Sequence, residues 1–553
     1  MRQTTQSADA KLYDMYLFST FILSLFLTIG LVPIFKRMAF SMHLVDEPDD
    51  RKIHVLPMPR SGGISMAIGA FLPVLIWVPM DNMIRAVHLG CAIIVAFGVL
   101  DDVKNLKYWQ KLCAQVTGAL VVMIYGGVQI RCIGGLLPTV VSLPLTLLFI
   151  VGVTNAVNLA DGLDGLAGGL ALLSFVSIGF LAYQCANTYL ALMCIAVSGA
   201  ILGFLRYNTH PAVVFMGDAG SQMLGFLCVV FTLMLTQANT PYSEITPLFL
   251  IGFPIIDTLT VMGERMAKGG SPFKPDKNHF HHRLMKLGLF HSESVVLIYL
   301  LQSMFLCCAF LLRFYSNLLN LLVFIGLACG IVFWFYLSQK TRFKFRNGNE
   351  SILGARSFLA RLGGEHLSIR MFFALLKWVF CLVFMAQCLI PQEIPVYISV
   401  FSAGAIIAIF YSRFRASIHT KMVLRTSLYC ITPFLMYESI LYPALWVTHQ
   451  VMMVHYGALV LLILAVIGTL NLTRRENGFK FNPQDFLIFL VIIVFSALPS
   501  SHLNIPELRT VVAGVLILFF SGDVLLGELR KDNTFLDNIL IACLSIVMVR
   551  GFL

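Results

Sequence analysis

Asn155 and Asn158 stand three residues apart in the stretch NAVNLADGLDGLAGG, and so do Asp161 and Asp164. Helical turns set each pair on one face. Four amide or carboxylate groups within ten residues, with no thiolate among them, suit a hard cation such as Mg²⁺ that shares its coordination with substrate phosphates. An EF-hand is excluded, because the twelfth position counted from Asp161 is Leu172 rather than a glutamate. Asp101 and Asp102 end the apolar run FGVL beside Lys104, Lys107 and Lys111. Such a pair either marks the water boundary of a membrane helix or handles a proton or a magnesium-bound phosphate. Asp218 lies in FMGDAGS, between glycines that allow close backbone approach to a ligand. It is an acid in an otherwise apolar run, a setting in which function is the default reading.

Two basic segments complete the inventory. PDKNHFHHRL carries His279, His281, His282 and Arg283, a set suited to an anionic group. Zinc is the rival ligand there, but no cysteine and no HExxH spacing accompanies the imidazoles. RKIHVLPMPRSGG places Arg51, Lys52 and His54 ahead of Gly62-Gly63, a helix start whose exposed amides would help the cations hold phosphate. The plainer reading of that patch is orientation in a membrane. The sequence has no Walker P-loop, GxSxG elbow or dinucleotide fingerprint, so nucleotide hydrolysis and acyl transfer lack support.

The elements that must position these residues are membrane helices. Of the 553 residues, 58% are hydrophobic and only 12% charged, and mean hydropathy is +0.85. Soluble domains run at about 45–50% apolar and about 25% charged. Apolar runs long enough to cross about 30 Å of hydrocarbon recur along the chain. The fold class is therefore an all-α polytopic membrane protein, which excludes a cytosolic enzyme, a disulfide scaffold and an outer-membrane barrel. The thirteen cysteines form no CxxC pair and read as small buried hydrophobes. The net charge of +11 reads as orientation and contact with anionic lipid, not as nucleic-acid binding.

Hydropathy places eleven spans in residues 1–340, a basic linker at 341–370, and seven more spans in 371–553. With the N-terminus outside, the loops after odd-numbered spans hold 31 of the 39 Lys and Arg residues. That asymmetry puts those loops in the cytoplasm. Every cluster named above falls on that same face, and the opposite face has short, plain connections.

Taken in order, RKIHVLPMPRSGG, LDDVKNLKYWQK, NAVNLADGLDGLAGG, FLRYNTHPAVVFMGDAGS and PDKNHFHHRLMKLG resemble the polyprenyl-phosphate N-acetylhexosamine-1-phosphate transferases. The motifs run from about residue 45 to about 290, and the span pattern extends the likeness to about 340. HFHHR resembles the N-acetylhexosamine branch, since the phospho-MurNAc-pentapeptide translocases more often have a third His where Arg283 stands.

The resemblance implies that a polyprenyl (undecaprenyl) phosphate attacks the β-phosphorus of a UDP-HexNAc, with UDP-GlcNAc the favoured donor. UMP would leave, and a lipid-linked sugar diphosphate for cell-envelope glycan synthesis would remain. It implies Mg²⁺, with Mn²⁺ as a substitute, held by Asn158 and Asp218. Asp101 would be the base for the lipid phosphate, with Asp102 close to the metal. Asp161, Gly162, Leu163, Asp164, Asn208 and Phe215 match positions around the nucleotide, with the two acids in the catalytic set. Lys111, His279, His281, His282 and Arg283 would hold phosphate or sugar, and Arg51, Lys52, His54 and Asn155 fall among the substrate-binding positions. Direct attack is preferred to an aspartyl-phosphate intermediate. The expected setting is the bacterial inner membrane with a cytoplasmic active site, and a homodimer is the candidate assembly. The alternatives are a phospho-MurNAc-pentapeptide type of transferase and a lipid-linked sugar transporter or flippase. A transporter would show polar groups on both faces and repeated halves, which this sequence lacks. Residues 371–553 read as a module of unassigned role.

Overall fold

The structure is a computed structural model that describes residues 2–47, 57–237, 240–271, 278–341, 365–414, 420–472, 486–487, 508–528 and 534–552. Arg51, Lys52, His54 and most of the basic linker lie outside the described residues, as does nearly all of the span expected near 485–500. The chain falls into two compact units: the first holds the helices from Arg2 to Lys340 together with residues 486–487, and the second holds those from Glu365 to Leu472 and from Leu508 to Phe552.

A helix stands at each position where the hydropathy of the first unit demands one. These are α1 (Arg2–Ser41), α2 (Gly62–Trp77), α3 (Asn82–Lys104), α4 (Tyr108–Ile124), α5 (Thr139–Leu159), α6 (Leu166–Gln184), α7 (Thr188–Asn208) and α8 (Gly217–Thr236). The span expected near 245–264 is two helices, α9 (Thr246–Leu250) and α10 (Gly252–Ala267). Pro254 supplies no N–H to the preceding turn, and a break there is the usual consequence. A short helix, α11 (Phe280–Lys286), lies within the expected HFHHR loop, followed by α12 (His291–Leu312) and α13 (Asn317–Lys340). Hydropathy also gave no sign of the antiparallel pair Val45–Asp46 with Met58–Pro59 that leads into α2. Twelve described helices across the two units are long and apolar enough to cross a membrane.

The core of the first unit is α8, whose apolar window is wholly buried. It packs on α2, α3, α5 and α6. With lipid outside, water expulsion does not drive helices together, so small residues that admit close backbone contact must do it. A Cβ on Gly63 would sit 2.3 Å from the Gly220 amide nitrogen, one on Gly98 2.4 Å from the Ala219 Cα, and one on Gly225 2.9 Å from the Thr154 Cα. Three helices thus grip α8 through glycine, two of them at the first turn that carries Asp218.

The second unit contains α14 (Glu365–Leu389), α15 (Val396–Phe414), α16 (Thr420–Leu441), α17 (His449–Leu472), α18 (Leu508–Glu528) and α19 (Thr534–Phe552). Helix α14 packs on α17, α15 on α19, and α16 on α18. The sequence reading saw only scattered charge here. The structure pairs buried Asp523 of α18 with Arg425 and the Tyr429 hydroxyl of α16. It also joins Gln387 to His455 at 2.7 Å and to Ser439. The Arg550 guanidinium donates to the Cys388 and Leu389 carbonyls at 2.7 and 3.0 Å, closing the end of α14.

Gly98→Val tests the glycine grip. Added bulk at a backbone contact costs about 1–3 kcal/mol, so thermal unfolding of the purified protein in detergent should shift down by several degrees. An unchanged midpoint would show that α3 and α8 are free to separate.

Candidate active site

The LDDVKNLK segment folds as it does because α3 must end and reverse. Asn105 closes α3 in the left-handed region (φ 48°), which asparagine tolerates, and its amide donates to the Asp101 carbonyl at 2.8 Å. The Leu106 amide donates to the Asp101 carboxylate at 2.7 Å, and α4 begins at once. Lys111, one turn into α4, is thereby carried back over Asp101. It forms ion pairs with Asp101 and, at 3.0 Å, with Asp218. One ammonium bridges acids from two helices.

Asp102 does something different. Its two oxygens accept the amides of Asp218 and Ala219 at 3.0 and 3.2 Å, so it satisfies two unpaired N–H groups at the amino end of α8. Arg60 stands 3.7 Å away and also pairs with Asp46 of the strand pair. Gly217 has φ +69°, and a Cβ there would lie 2.4 Å from the Asp102 carboxylate. The glycine before Asp218 is therefore required by backbone conformation and by space. The resemblance places Asp102 close to the metal; the structure adds that it holds the backbone amides of Asp218 and Ala219.

Gly62 and Gly63 require a correction. Their amides, expected to be exposed for phosphate, donate to the Phe215 and Met216 carbonyls at 3.0 and 2.9 Å, and the Phe215 amide donates to Pro59 at 2.8 Å. This glycine pair bolts the α7–α8 loop to α2, so these two amides are already occupied.

Asn155 and Asn158 lie on the last turn of α5, as their spacing required. Asn155 joins Gln115 at 2.6 Å, and Gln115 reaches Gln222 at 3.0 Å, an amide ladder linking α4, α5 and α8. Asn158 accepts from Ser221, 2.6 Å away on α8, which sets its amide beside the Asp218 turn. The ADGLDG turn follows, with Asp161 half-buried and Leu163 buried. Burial, and then the negative charges of Asp218, Asp102 and Asp164, push the Asp161 carboxyl up to about 7.

Asp164 and Asn208 face inward to the protein. Asp164 accepts from His210 at 2.8 Å and from the Ala212 amide at 3.1 Å, while its own amide donates to His291 at 3.1 Å. The two imidazoles stack 4.2 Å apart. Asp164, His210 and His291 have the composition of a metal trio, yet the hydrogen bonds among them already tie the turn to α7 and α12. Asn208 accepts the Gly165 amide and donates to the Val214 carbonyl, each at 3.0 Å.

The HFHHR segment docks on that turn. The His281 ring lies against Gly162, where a Cβ would be 2.4 Å from its Nε2. Burial, then neighbouring His282, pushes His281 down to about 3, so it is neutral at physiological pH. Arg283 donates to Glu264 at 2.7 Å and to the Asn278 carbonyl at 2.6 Å, with its guanidinium over the Phe280 ring. His279 donates Nδ1–H to Asp257, 2.9 Å away on α10. The sequence reading missed Asp257, Arg60, His210 and His291. An acid inside the apolar run GFPIIDTLTV was the available signal for Asp257.

The site therefore gathers Asp101, Asp161, Asp218, Asn158 and Lys111 at one end of the first unit. This is oxygen-rich ground with too few cations for its acids, and its donors fit a hard divalent ion. Residues 84–236, which contain all five of these side chains, match the model of glycosyl transferase family 4. A probable undecaprenyl-phosphate N-acetylglucosaminyl 1-phosphate transferase of Bacillus subtilis is 36% identical over 311 residues, 55% of this chain and 87% of that protein. The chain belongs to this family. It is a membrane transferase. The Escherichia coli O157:H7 undecaprenyl-phosphate alpha-N-acetylglucosaminyl 1-phosphate transferase is 35% identical over 52% of this chain and 81% of its own. The decaprenyl-phosphate N-acetylglucosaminephosphotransferase of Mycolicibacterium smegmatis is also 35% identical, over 48% and 74%.

Two tests follow from this electrostatic arrangement. Asp102→Ala removes a helix-end acceptor, which is worth about 1–2 kcal/mol; stability should fall by that amount, and unchanged unfolding would deny Asp102 its hold on α8. Asp161 has a folded value raised above the ordinary carboxylate range, so the metal-free protein gains stability below about pH 4 and loses it as pH rises through about 7. Stabilisation by added Mg²⁺ should accordingly grow from pH 5.5 to pH 8. A pH-independent increment would contradict the charge crowding.

Proposed function

We propose that this site transfers N-acetylglucosamine 1-phosphate from UDP-GlcNAc to a polyprenyl phosphate, releasing UMP and leaving a lipid-linked sugar diphosphate. The observation that carries the reading is the Lys111 bridge between Asp101 and Asp218. It places one ammonium between two acids from different helices, beside Asn158 and the half-buried Asp161.

Phosphoryl transfer needs in-line positioning and neutralisation of charge more than covalent help. Asp218 and Asn158 would hold Mg²⁺, with Asp161 adjoining. When bound, the ion neutralises the donor diphosphate and polarises its phosphorus–oxygen bonds. Lys111 exchanges one of its carboxylates for a phosphate oxygen as substrate enters. That exchange releases the Asp101 carboxylate, which accepts the proton of the lipid phosphate while the Leu106 amide holds its other oxygen. The lipid oxygen then attacks the β-phosphorus directly, and UMP is the leaving group. Asp102, Asn208 and Arg283 position backbone and serve the reaction through the residues they fix.

The distribution of Lys and Arg supports a cytoplasmic site with the N-terminus outside. The relatives named for GlcNAc favour UDP-GlcNAc over other UDP-HexNAc donors. A homodimer is compatible with this reading and is not required by it, because every proposed group lies on one chain.

The test is purified full-length protein with undecaprenyl phosphate and a panel of UDP-sugars, following UMP and lipid product. UDP-GlcNAc should be used only in the presence of Mg²⁺ or Mn²⁺. Asp218→Asn should reduce turnover by at least about 100-fold, and Asp101→Asn should cut turnover more than it raises the donor KM. Product from UDP-MurNAc-pentapeptide alone would favour the other branch, and metal-independent turnover would overturn the metal assignment.

A further inference from the structure

Asp257 is buried on α10, 2% exposed, in a helix that is otherwise apolar along this stretch. A buried acid must be compensated, and both of its oxygens are. One accepts the Phe280 amide at 2.8 Å, satisfying an unpaired N–H in the first turn of α11. The other accepts Nδ1–H of His279, itself 6% exposed, at 2.9 Å. Seven residues further along α10, on the same face, Glu264 takes the Arg283 guanidinium at 2.7 Å. Two acids two turns apart therefore hold both ends of the HFHHR segment. In that segment Arg283 is committed to the protein and His281 is neutral, so it offers substrate mainly imidazole edges.

Hydrogen bonding at one ring nitrogen decides what the other can do. A neutral imidazole that gives its Nδ1 proton to a carboxylate carries a lone pair on Nε2, whereas an imidazolium donates from both nitrogens. Among the described residues, the Nε2 of His279 has no protein partner. Its ring stacks 5.9 Å from His281, whose own Nε2 abuts Gly162 of the proposed metal turn. The free edge of His279 thus belongs to the same site. A lone pair repels phosphate oxygen, and it accepts from the hydroxyl and acetamido N–H groups of a sugar.

We infer that Asp257 is a positioning residue that fixes His279 in its Nδ1–H tautomer, making Nε2 a hydrogen-bond acceptor for the sugar of the nucleotide-sugar donor. The identity of the donor rests on the transfer reading above, whereas the tautomer does not. Asp257→Asn is the informative change. The amide oxygen still accepts from Phe280, so α11 keeps its anchor, but the NH₂ must face Nδ1 and drives the ring proton to Nε2.

The experiment uses full-length protein in lipid with ¹⁵N-labelled histidine. Solid-state spectra read the tautomer, and His279→Gln identifies the His279 signal. Alongside, kcat/KM for UDP-GlcNAc and the affinity for UDP, which lacks the sugar, are measured. Wild type should show the Nδ1–H tautomer and Asp257→Asn the Nε2–H form. The variant should lose about 10- to 100-fold in kcat/KM, as is usual when an orienting partner is removed. It should bind UDP as wild type does, and adding His279→Gln should cost little more.

An Nε2–H tautomer in wild type overturns the inference whatever the enzyme turns over. Equal weakening of UDP and UDP-GlcNAc, or losses that multiply in the double variant, would reduce Asp257 to an anchor for α11 and overturn it too. A wild-type protein with the Nδ1–H tautomer that transfers no sugar phosphate would instead strike at the proposed reaction.

Discussion

A carboxylate on one helix holds the amino end of another, and the arrangement of the site follows from that contact. Asp102 on α3 takes the Asp218 and Ala219 amides in the first turn of α8, and so fixes the backbone that carries the Asp218 side chain. The contact is possible because Gly217, Gly98 and Gly63 leave no Cβ between the backbones. It is stabilising because a helix amino end is electropositive and carries unpaired N–H groups. The neighbouring acid has the opposite character. Asp101 meets the Lys111 ammonium of α4 and accepts the Leu106 amide. Two adjacent aspartates thus have different partners: Asp102 holds backbone amides of α8, and Asp101, the proposed base, holds the Lys111 ammonium.

Much of this was legible in the sequence, and the reason is physical. Hydropathy locates helices because lipid leaves the backbone no alternative hydrogen-bond partner, so α1 to α8 stand where apolar runs require them. The Asn155/Asn158 pair and the ADGLDG turn were readable from spacing, because their amide and carboxylate groups lie close together in the chain. What escaped was long-range pairing. Nothing local to Asp102 announces that it accepts the α8 amides of Asp218 and Ala219, more than a hundred residues away. Gly62-Gly63 reads as an anion cradle until the Phe215 and Met216 carbonyls fill it. His210 and His291 meet across 81 residues of sequence, and no local pattern announces it. The break between α9 and α10 was signalled by Pro254 and was outweighed by the continuity of the apolar run.

The second unit follows the same rules with different contents. Its buried polar groups, Asp523 with Arg425 and Tyr429 and Gln387 with His455 and Ser439, are satisfied within the unit. Each joins helices that hydropathy alone would treat as interchangeable. Such pairs fix helix register at little net gain in stability, since the cost of burial offsets much of the attraction. All the groups proposed for transfer lie in the first unit, so a chemical role for the second is not needed to explain the site.

The most direct measurement is the position of a bound ion. Mn²⁺ scatters anomalously and substitutes for Mg²⁺ at oxygen-rich sites, so an anomalous map of the full-length protein crystallised with Mn²⁺ and UDP would locate it. The account requires the peak at the Asp218 carboxylate on the first turn of α8, beside Asn158, and its loss in Asp218→Asn. A peak at Asp164, His210 and His291, with Asp218 bare, would contradict the account.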